Sequence, residues 1–465
     1  MTASTTGSIA SHNPADPGDL VVRVAAAGAA GTAEAVRRAR AVQPGWLAAG
    51  AAARSAALSR AAGAVEAHAD ELAALVVREV GKPYAEARGE IARTAAIWRY
   101  YAQAPYAASG AVHEPAAGAG LLLTRRRPYG VAGLVTPWNF PLAIPSWKAA
   151  PALAVGNTVV LKPAPEATAC ALRLAELLDL PADVLTVLPG GAEEGEALVG
   201  AADVLSFTGS TAVGRAVVGA ATARGVPVQA ELGGLNAALV LPDADIATTV
   251  GQLAFAIAGY AGQKCTATSR VIAVGAAYEP VREALAEALA ATPATEPSAE
   301  RAVCGPVISE AARERLLRAV DSARAAGATV LAGGTAPGRA GWFVEPTLLA
   351  DVPAEHPLCT EEFFGPVAVL QYADGLEEAI ALANDTRHTL AASVHTRDLD
   401  TALAAADRLH AGMIRINAPS SGVDFHLPFG GAKEAGHGAR EQGRAALDFF
   451  TAERTVTLLP AGAAG

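Results

Sequence analysis

The sequence predicts an α/β protein that is built from two units with a cleft between them. In two regions, short apolar runs alternate with helical stretches, which is the pattern of buried parallel strands joined by crossover helices. The length of 465 residues exceeds the size at which a single hydrophobic core stops growing. A chain of this kind can bury a cofactor in the cleft between its domains.

The first hundred residues have helical periodicity, clearest in AARSAALSRAAGAVEAHADELAALVVREVGKP. The Gly-Lys-Pro step at the end of this segment predicts a helix stop. The next stretch, GAVHEPAAGAGLLLTRRRPYGVAGLVTPW, contains short β-rich runs that are separated by glycine and proline.

From Val131 to about Val240 the predicted strands are VAGLVTP, NTVVLKP, DVLTVLPG, VLSFTGS and AALVLPD. Helical stretches lie between most of them, which favours parallel strands. After Cys265 a second region predicts strands at SRVIAV, ATVLAGG, GPVAVLQY and LAASVHT, with an amphipathic helix at SEAARERLLRAVDSARAAG.

The composition is typical of a soluble globular protein. Apolar residues make up 52% of the chain, yet no apolar run reaches the length of about 18 residues that a membrane helix needs. The polar N-terminus lacks the features of a signal peptide. With 36 Lys and Arg against 46 Asp and Glu, the net charge of −10 disfavours a nucleic-acid partner. We therefore expect a cytoplasmic protein with neither a membrane nor a nucleic-acid partner.

The four cysteines, Cys170, Cys265, Cys304 and Cys359, are far apart in the sequence and form no CxxC pair. This spacing argues against a disulfide framework and against a metal site, and it suits a reducing compartment.

The stretch AGQKCTATSR presents Cys265 as a candidate nucleophile. A free thiol is a weak nucleophile until a cation, a helix N-terminus or a base lowers its pKa, and alone it is more often a buried structural thiol. The preceding residues predict a helix that ends at Gly262. A turn or a new helix after it would present backbone N–H groups to an oxyanion.

Two polar residues are candidate partners of the thiol. Glu231, in QAELGGLN, follows a strand-like run and is either a catalytic base at a strand end or a solvated loop residue. Asn139, in VTPWNFP, is either an oxyanion donor or a turn residue.

Three further motifs suit a dinucleotide. SFTGSTAVGR follows a strand with Gly209 and Gly214, which permit close backbone approach to a pyrophosphate, although such a glycine pattern is weak evidence alone. Lys162, in VVLKPAPEAT, can reach ribose or phosphate, or is a solvated lysine. Glu362 and Phe364, in CTEEFFGPV, can contact ribose and nicotinamide, or simply precede a strand.

Taken together and in this order, PWNFP, LKP, FTGSTAVG, ELGG, GQKC and EEFFGP resemble the aldehyde dehydrogenase superfamily, and the resemblance extends from HNPAD to REQGRAALDFF. It implies an α/β fold with a Rossmann-type cofactor domain, an α/β catalytic domain and a small β oligomerisation element. The implied bounds are 1–105 and 128–231 for the nucleotide-binding domain, 232–434 for the catalytic domain, and 106–127 with 435–465 for the bridging element.

By this resemblance, Cys265 is the nucleophile, Glu231 the general base and Asn139 the oxyanion donor. The implied cofactor contacts are Pro137, Trp138, Lys162, Phe207, Gly209, Ser210, Glu362 and Phe364, and no metal is implied. The implied reaction is NAD(P)-dependent oxidation of an aldehyde to the free acid through a thiohemiacetal and a thioester. Since relatives that transfer the acyl group to coenzyme A generally lack this glutamate, Glu231 favours hydrolysis. An acyl-CoA-forming enzyme and a non-catalytic protein on the same fold are the alternatives.

The sequence departs from the family pattern at three places. Leu235 replaces a frequent lysine after ELGG, and RHTL replaces the usual tyrosine-glycine step after NDT. Pro165 stands where NAD-preferring relatives commonly have a glutamate that binds the adenosine ribose. Because proline does not repel a 2′-phosphate, and Glu166 is only one residue along, we expect the use of both NADP and NAD.

The segments GQKCTATSR, GVDFHLPFGG and REQGRAALDFF are similar to the branch of α-ketoglutaric semialdehyde (2,5-dioxovalerate) dehydrogenases. A distal carboxylate on the substrate would need a cation, and Arg93 is the candidate, with an exposed helix charge as the alternative. The implied tunnel residues are Arg93, Trp147, Phe255, Lys264, Thr266 and Phe429. A homodimer or homotetramer is expected, because ERTVTLLP would be an aggregation-prone free edge strand.

Overall fold

Two open, mostly parallel sheets form the framework of the protein. The computed structural model describes residues 7–459. The first six residues of the N-terminal segment and the last six of the C-terminal tail, including the end of ERTVTLLP, lie outside that range. No helix within the described range is long and apolar enough to cross a bilayer.

The helices, in chain order, are α1 (Gly28–Ala48), α2 (Gly50–Ala67), α3 (Ala69–Val80), α4 (Tyr84–Tyr101), α5 (Ala143–Ala154), α6 (Thr168–Leu178), α7 (Ala192–Ala201), α8 (Thr211–Ala223), α9 (Ile246–Ala258), α10 (Tyr278–Ala290), α11 (Glu310–Ala325), α12 (Pro357–Thr360), α13 (Leu376–Asn384), α14 (Leu399–Arg408) and α15 (Gly443–Phe449).

The strands are β1 (Ser8–Asn13), β2 (Asp16–Ala25), β3 (Val112–His113), β4 (Leu121–Pro128), β5 (Val131–Thr136), β6 (Thr158–Pro163), β7 (Leu185–Val187), β8 (Val204–Thr208), β9 (Val228–Glu231), β10 (Asn236–Val240), β11 (Thr268–Val274), β12 (Thr329–Ala332), β13 (Thr347–Ala350), β14 (Val367–Ala373), β15 (His388–Thr389), β16 (Ala391–His395), β17 (Met413–Ile416), β18 (Ala432–Lys433), β19 (Gly436–His437) and β20 (Thr451–Leu458).

The first sheet has the strand order β19-β9-β8-β5-β6-β7, and all its pairs are parallel except that of β19 with β9. Its strands are near-continuous apolar runs because helices cover both faces. In β6, Val159 and Leu161 pack in the core formed with α2 to α5, whereas Val160 packs with α1 and α7. The strands predicted at VAGLVTP, NTVVLKP, DVLTVLPG and VLSFTGS all lie in this sheet.

The second sheet has the order β12-β13-β14-β11-β10-β16-β17, with β12 antiparallel to β13 and the other pairs parallel. It contains AALVLPD and all four strands predicted after Cys265. The sequence did not predict β13 and β17. Each has only four residues.

A separate antiparallel sheet joins β3, β4 and β20. It contains the strands of the predicted bridging element. Residues 435–450, assigned by sequence to the same element, include β19, which pairs with β9 of the first sheet. The proposed domain bounds stay a prediction.

The N-terminal region is not helical throughout, which corrects the expectation from its periodicity. A hairpin of β1 and β2 precedes α1. Only Ser11 of its strands is buried, and the segment LVVRVA of β2 lacks the strict apolar–polar alternation that predicts a half-buried strand. The hairpin is anchored by Ser11 Oγ, which donates to Glu79 Oε1 at 2.7 Å. The helix stop at Gly-Lys-Pro is confirmed, because α3 ends at Val80 and Gly81 has φ of 67°.

Two departures from the family pattern meet in the structure. Leu235 is buried, and its N–H donates to His388 O at 3.0 Å. His388 and Thr389, from the RHTL segment, form β15, which pairs antiparallel with β18. The segment is therefore a short strand fixed to the residue that replaces the lysine.

Replacing Gly81 by alanine should destabilise the protein. The residue is left-handed, and an added Cβ would lie 2.6 Å from Pro306 Cγ. We expect a cost of about 1–3 kcal/mol and a lower midpoint of thermal unfolding. The control is Gly89→Ala in α4, where nothing lies within 4 Å of an added Cβ and alanine should be neutral or stabilising. Equal midpoints for the two variants would contradict the prediction.

Candidate active site

Cys265 lies in a tight turn between α9 and β11, at the amino end of β11, which is a central strand of the second sheet. Helix α9 ends at Ala258 rather than at Gly262, and a 3-10 turn follows in which Tyr260 and Ala261 have left-handed φ of 53° and 52°. After the thiol the chain forms a turn and not a helix. The N–H of Ala267 donates to Lys264 O at 2.9 Å and closes this turn.

Asn236, at the start of β10, fixes the turn that contains Cys265. Its Nδ2 donates to Cys265 O and to Ala267 O, both at 2.8 Å, and its Oδ1 accepts from Ala391 N at 2.8 Å. The sequence analysis gave this residue no role. The available signal was a polar residue at the first position of an otherwise apolar strand.

Asn139 is buried beside the same turn. Its Nδ2 donates to Gln263 O at 3.0 Å, and Gln263 is itself held by Ile308 N, which donates to Oε1 at 2.8 Å. Because an amide nitrogen carries two hydrogens, one remains to donate toward an oxygen that adds near Cys265. The Oδ1 of Asn139 has no hydrogen-bond partner among the described residues.

Glu231 ends β9, as predicted, and its side chain is buried. Its Oε2 accepts from Gly431 N at 3.1 Å, and a Cβ at Gly430 would lie 2.4 Å from Oε1. Burial raises the pKa of this carboxyl well above its usual range, and the nearby carboxylate of Glu441 raises it further. A buried carboxyl with a raised pKa is a typical general base.

Glu441 and Lys148 form a buried ion pair next to Glu231. Trp147 Nε1 donates to Glu441 Oε2 at 2.7 Å, and Lys148 also donates to Ser206 Oγ at 2.7 Å. The sequence analysis quoted REQG but assigned no role to its glutamate. Lys148 was also missed, although it is the only charge in the fully buried helix α5, AIPSWKAAPALA.

The thiol of Cys265 is surrounded by carboxyl groups. Burial raises the pKa of this thiol, and the charges of Glu362, Glu231 and Glu441 raise it further. The pKa of Glu362 is itself raised to about 7 by burial, although Gly234 N donates to its Oε1 at 3.1 Å. In this arrangement the thiol keeps its proton at neutral pH.

The predicted cofactor residues lie at the carboxyl ends of the first sheet and in the loop before β14. Lys162 is buried at the end of β6, and its ammonium donates to Pro163 O at 2.6 Å and Gly190 O at 3.1 Å. Burial lowers the pKa of Lys162 to about 8. Its third hydrogen has no acceptor in the range 7–459, which fits a ribose hydroxyl.

The N-terminus of α8 follows β8 directly, and its N-cap Ser210 makes no side-chain capping bond. The two glycines of SFTGSTAVGR also have a packing role. An added Cβ would lie 2.7 Å from Phe207 Cζ at Gly209 and 2.2 Å from Leu232 Cδ2 at Gly214. Both glycines therefore make room for apolar side chains of the protein itself. Four backbone N–H groups of a helix start stay available for phosphate.

Trp138 and Phe364 bring the two cofactor segments together. Their rings meet edge to face with centroids 5.6 Å apart, and Phe364 has a left-handed φ of 52°. Pro137 precedes Trp138 at the end of β5 and is half-buried. These residues, with Lys162 and the start of α8, fit a nucleotide that extends from the first sheet toward Cys265.

Part of the predicted tunnel forms a wall next to the thiol. The rings of Trp147 and Phe429 lie 5.6 Å apart, and Cys265 packs against the small apolar cluster of Phe429 and Leu390. Thr266 is buried, and its carbonyl accepts from Ser420 Oγ at 2.7 Å.

The charged part of the predicted tunnel lies on α4 and α9. Arg93 is half-buried rather than a fully exposed helix charge, and it faces Asp424 and Arg415. It makes no ion pair or hydrogen bond with any described residue. Phe255 is 40% exposed, and its ring makes a cation–π contact with Lys264, whose Nζ lies 4.5 Å from the ring centroid.

The aldehyde dehydrogenase family model matches residues 1–456 of the chain. The chain is 39% identical over 459 residues to the alpha-ketoglutaric semialdehyde dehydrogenase of Bacillus subtilis (strain 168), which covers 97% of this chain and 94% of that protein. It is also 39% identical over 459 residues to the alpha-ketoglutarate semialdehyde dehydrogenase of Haloferax volcanii, over 96% of this chain and 94% of that protein. The crystal structure of PnpE in complex with nicotinamide adenine dinucleotide gives a TM-score of 0.93 at 37% identity, over 97% of this chain and 94% of that chain. The predicted fold class is confirmed.

Removing the charge of Glu362 should make Cys265 more reactive. Glu362→Gln keeps the acceptor for Gly234 N but removes the charge that raises the thiol pKa, so more thiolate forms at a given pH. We expect iodoacetamide to alkylate Cys265 roughly fivefold faster at pH 8, equivalent to about 1 kcal/mol of repulsion. Near pH 6 the gain should vanish, because Glu362 with a pKa of about 7 is then already protonated.

The reaction is followed by mass spectrometry of the Cys265 peptide. Glu361→Gln is the matched control, because Glu361 is adjacent but exposed and should leave the rate unchanged. An equal gain at pH 6 and pH 8 would show that the effect is not electrostatic.

Proposed function

The chain belongs to the aldehyde dehydrogenase family, and on that premise we propose that it oxidises an oxo-acid semialdehyde, such as α-ketoglutaric semialdehyde, to the free carboxylic acid. As a member of this family it is an oxidoreductase that acts on an aldehyde with a nicotinamide dinucleotide as hydride acceptor. The proposal adds the substrate class, the hydrolytic outcome and the roles of individual residues.

The half-buried guanidinium of Arg93 is the observation that carries the substrate proposal. The guanidinium is partly removed from water and forms no direct ion pair in residues 7–459, although Asp424 is near enough to raise its pKa, and such a group is suited to bind a substrate carboxylate. Arg415 adds a second positive charge nearby, and Asp424 offsets part of it. Two relatives that are 39% identical to this chain are named for α-ketoglutaric semialdehyde, which supports the same class.

The chemistry follows from the groups around the thiol. Cys265 gives its proton to water and its sulfur adds to the aldehyde carbon, so that the carbonyl oxygen becomes an alkoxide. The free hydrogen of Asn139 Nδ2 and the backbone N–H of Cys265 hold this oxygen. After loss of hydride the acyl group is a thioester on Cys265. Glu231 then takes a proton from water, which attacks the thioester and releases the acid.

The nucleotide supplies hydride acceptance when it is bound. Lys162 would hold its ribose, the start of α8 its phosphates, and the segments of Trp138 and Phe364 its nicotinamide end. Pro165 begins a short 3-10 turn and carries no charge that would repel a 2′-phosphate, whereas Glu166 in the same turn is half-buried and near enough to Lys162 for its charge to raise the pKa of that lysine, so it is placed to accept from ribose hydroxyls. We therefore propose that the enzyme uses both NADP and NAD, and absorbance of each reduced cofactor should rise in the same assay.

The assembly is proposed to be a homodimer or homotetramer. Strand β20 pairs with β4 on one side, and its other edge has no strand partner among the described residues. A free edge of this length favours pairing with another copy of the chain. We also propose a cytoplasmic location, because the chemistry requires Cys265 as a free thiol.

Arg93→Ala should separate charged from neutral aldehydes. Loss of a charge-assisted contact costs about 1.5–3 kcal/mol, so KM for 2,5-dioxovalerate should rise by roughly tenfold or more. KM for pentanal should change by less than about twofold, since no carboxylate is involved. Reduced-cofactor absorbance gives both values. Arg99→Ala is the control, because Arg99 is exposed on the same helix and pairs with Glu66. Equal losses on both aldehydes would overturn the substrate proposal.

Glu231→Gln should block hydrolysis but not hydride transfer. An amide does not accept the proton of water, so the thioester should accumulate on Cys265. Rapid mixing should give a burst of reduced cofactor of about one per subunit, followed by a steady rate at least about a hundredfold below the unmodified enzyme. Unchanged steady-state acid production would contradict this role. Faster acyl-CoA than free acid formation by the unmodified enzyme would favour the acyl-transferring alternative.

A further inference from the structure

Lys264, the residue before the nucleophile, forms a buried ion pair with Glu86 of α4. Its Nζ lies 2.6 Å from Glu86 Oε2, and the side chains are 5% and 19% exposed. The ring of Phe255 covers the ammonium at 4.5 Å from its centroid. The pair is therefore shielded from water and from salt, unlike most surface ion pairs.

Glu86 and Arg93 lie on one face of α4. They are seven residues apart, which is two helical turns and about 10.5 Å along the helix axis. Glu90 lies between them on the same face, and its Oε1 accepts from the N–H groups of Leu142 at 2.9 Å and Ala143 at 3.0 Å. This length of α4 is thus fixed against the start of α5.

The ion pair links this helix to the nucleophile turn. Cys265 and Arg93 are far apart in the sequence, so the distance between them depends on noncovalent contacts. The other oxygen of Glu86, Oε1, is buried and has no hydrogen-bond partner in the described part of the chain. Lys264 Nζ is therefore the polar contact through which Glu86 holds the turn. The charge of Lys264 is neutralised by Glu86, so Lys264 is a positioning residue and not a second receptor for the substrate carboxylate.

We propose that the Lys264–Glu86 ion pair sets the distance between Arg93 and the sulfur of Cys265, and that it thereby selects the chain length of the carboxylated aldehyde. The proposal rests on the proposed function, since it assumes that Arg93 binds the substrate carboxylate. A substrate of the correct length places its carboxylate on Arg93 and its aldehyde carbon at the sulfur at the same time.

Gly259 offers a way to disturb the pair without changing any charge. An added Cβ would lie 2.9 Å from Lys264 Nζ and 3.1 Å from Glu86 Oε1. The residue has φ of −57°, which alanine adopts without strain. Gly259→Ala should therefore push the ammonium aside while the backbone of the 3-10 turn is kept.

The test compares chain-length selectivity in Glu86→Gln and Gly259→Ala. The substrates are 4-oxobutanoate, 5-oxopentanoate, 6-oxohexanoate and the neutral aldehydes of the same lengths. One methylene is discriminated by about tenfold or more in a well-fitted site. We expect the ratio of kcat/KM between the best acid and its neighbours to fall by at least about fivefold in both variants, mainly through KM. For the neutral aldehydes kcat/KM should stay within about twofold.

Glu66→Gln is the matched control. Glu66 of α2 pairs with Arg99 of α4 at the exposed surface, so its loss should leave the ratios of kcat/KM between chain lengths unchanged. If Glu86→Gln does not fold, as judged by its thermal midpoint, Gly259→Ala carries the test. Equal losses on acids and neutral aldehydes would overturn the proposal, because the pair would then only support the turn. Unchanged ratios in the folded variants would overturn it as well. In that case, if Arg93→Ala raises KM for 2,5-dioxovalerate but not for pentanal, the proposed function still holds. If Arg93→Ala affects both aldehydes equally, the proposed function and the chain-length proposal are both overturned.

Discussion

One buried ammonium among several buried carboxyl groups sets the electrostatics of the whole site. Lys148 is the cation that offsets Glu441 and lowers the pKa of Glu231, whereas burial and neighbouring carboxylates act in the opposite direction. Burial raises the pKa of Cys265, and the carboxylates of Glu362, Glu231 and Glu441 raise it further. Burying the charges of Lys148 and Glu441 costs several kcal/mol of desolvation free energy per ion, which only good geometry and further hydrogen bonds offset. Trp147 Nε1 donates to Glu441, and Lys148 donates to Ser206 Oγ, and these hydrogen bonds offset part of that cost. The positions of α5 and β8 therefore affect the protonation of Glu231.

The fold brings these groups together from both sheets. Glu231 comes from the last parallel strand of the first sheet, and Cys265 from the turn that leads into the second sheet. Asn139 follows β5, and Glu441 precedes α15. Each of these positions is a strand end or a loop next to a rigid element, where a side chain can project without breaking a ladder of backbone hydrogen bonds. Residues of both sheets therefore contact one another at the site, as in the hydrogen bond that Asn139 Nδ2 donates to Gln263 O.

Much of the fold could be predicted from the sequence, because a strand covered on both faces must be an apolar run. This is why β5, β6, β8 and β10 were found and the half-exposed hairpin of β1 and β2 was not. The partners of Cys265 were assigned through the resemblance to the aldehyde dehydrogenase family, and their roles stay a prediction. Asn236 and Lys148 were missed, because a single polar residue within an apolar element gives no indication of what it contacts. Phe207 was expected to contact the cofactor, but the sequence did not indicate that Gly209 exists to accommodate its ring.

The glycines around Glu231 have a consequence for how the protein can change. Gly430, Gly431 and Gly436 let the carboxyl group approach the backbone, and a Cβ at Gly430 would come within 2.4 Å of it. No side chain can be added at that position without moving the carboxyl. Substitutions that alter substrate range are thus expected away from these glycines, for example at Arg93 on α4 and Phe255 on α9. The substrate range can change at such positions while the surroundings of Glu231 stay fixed.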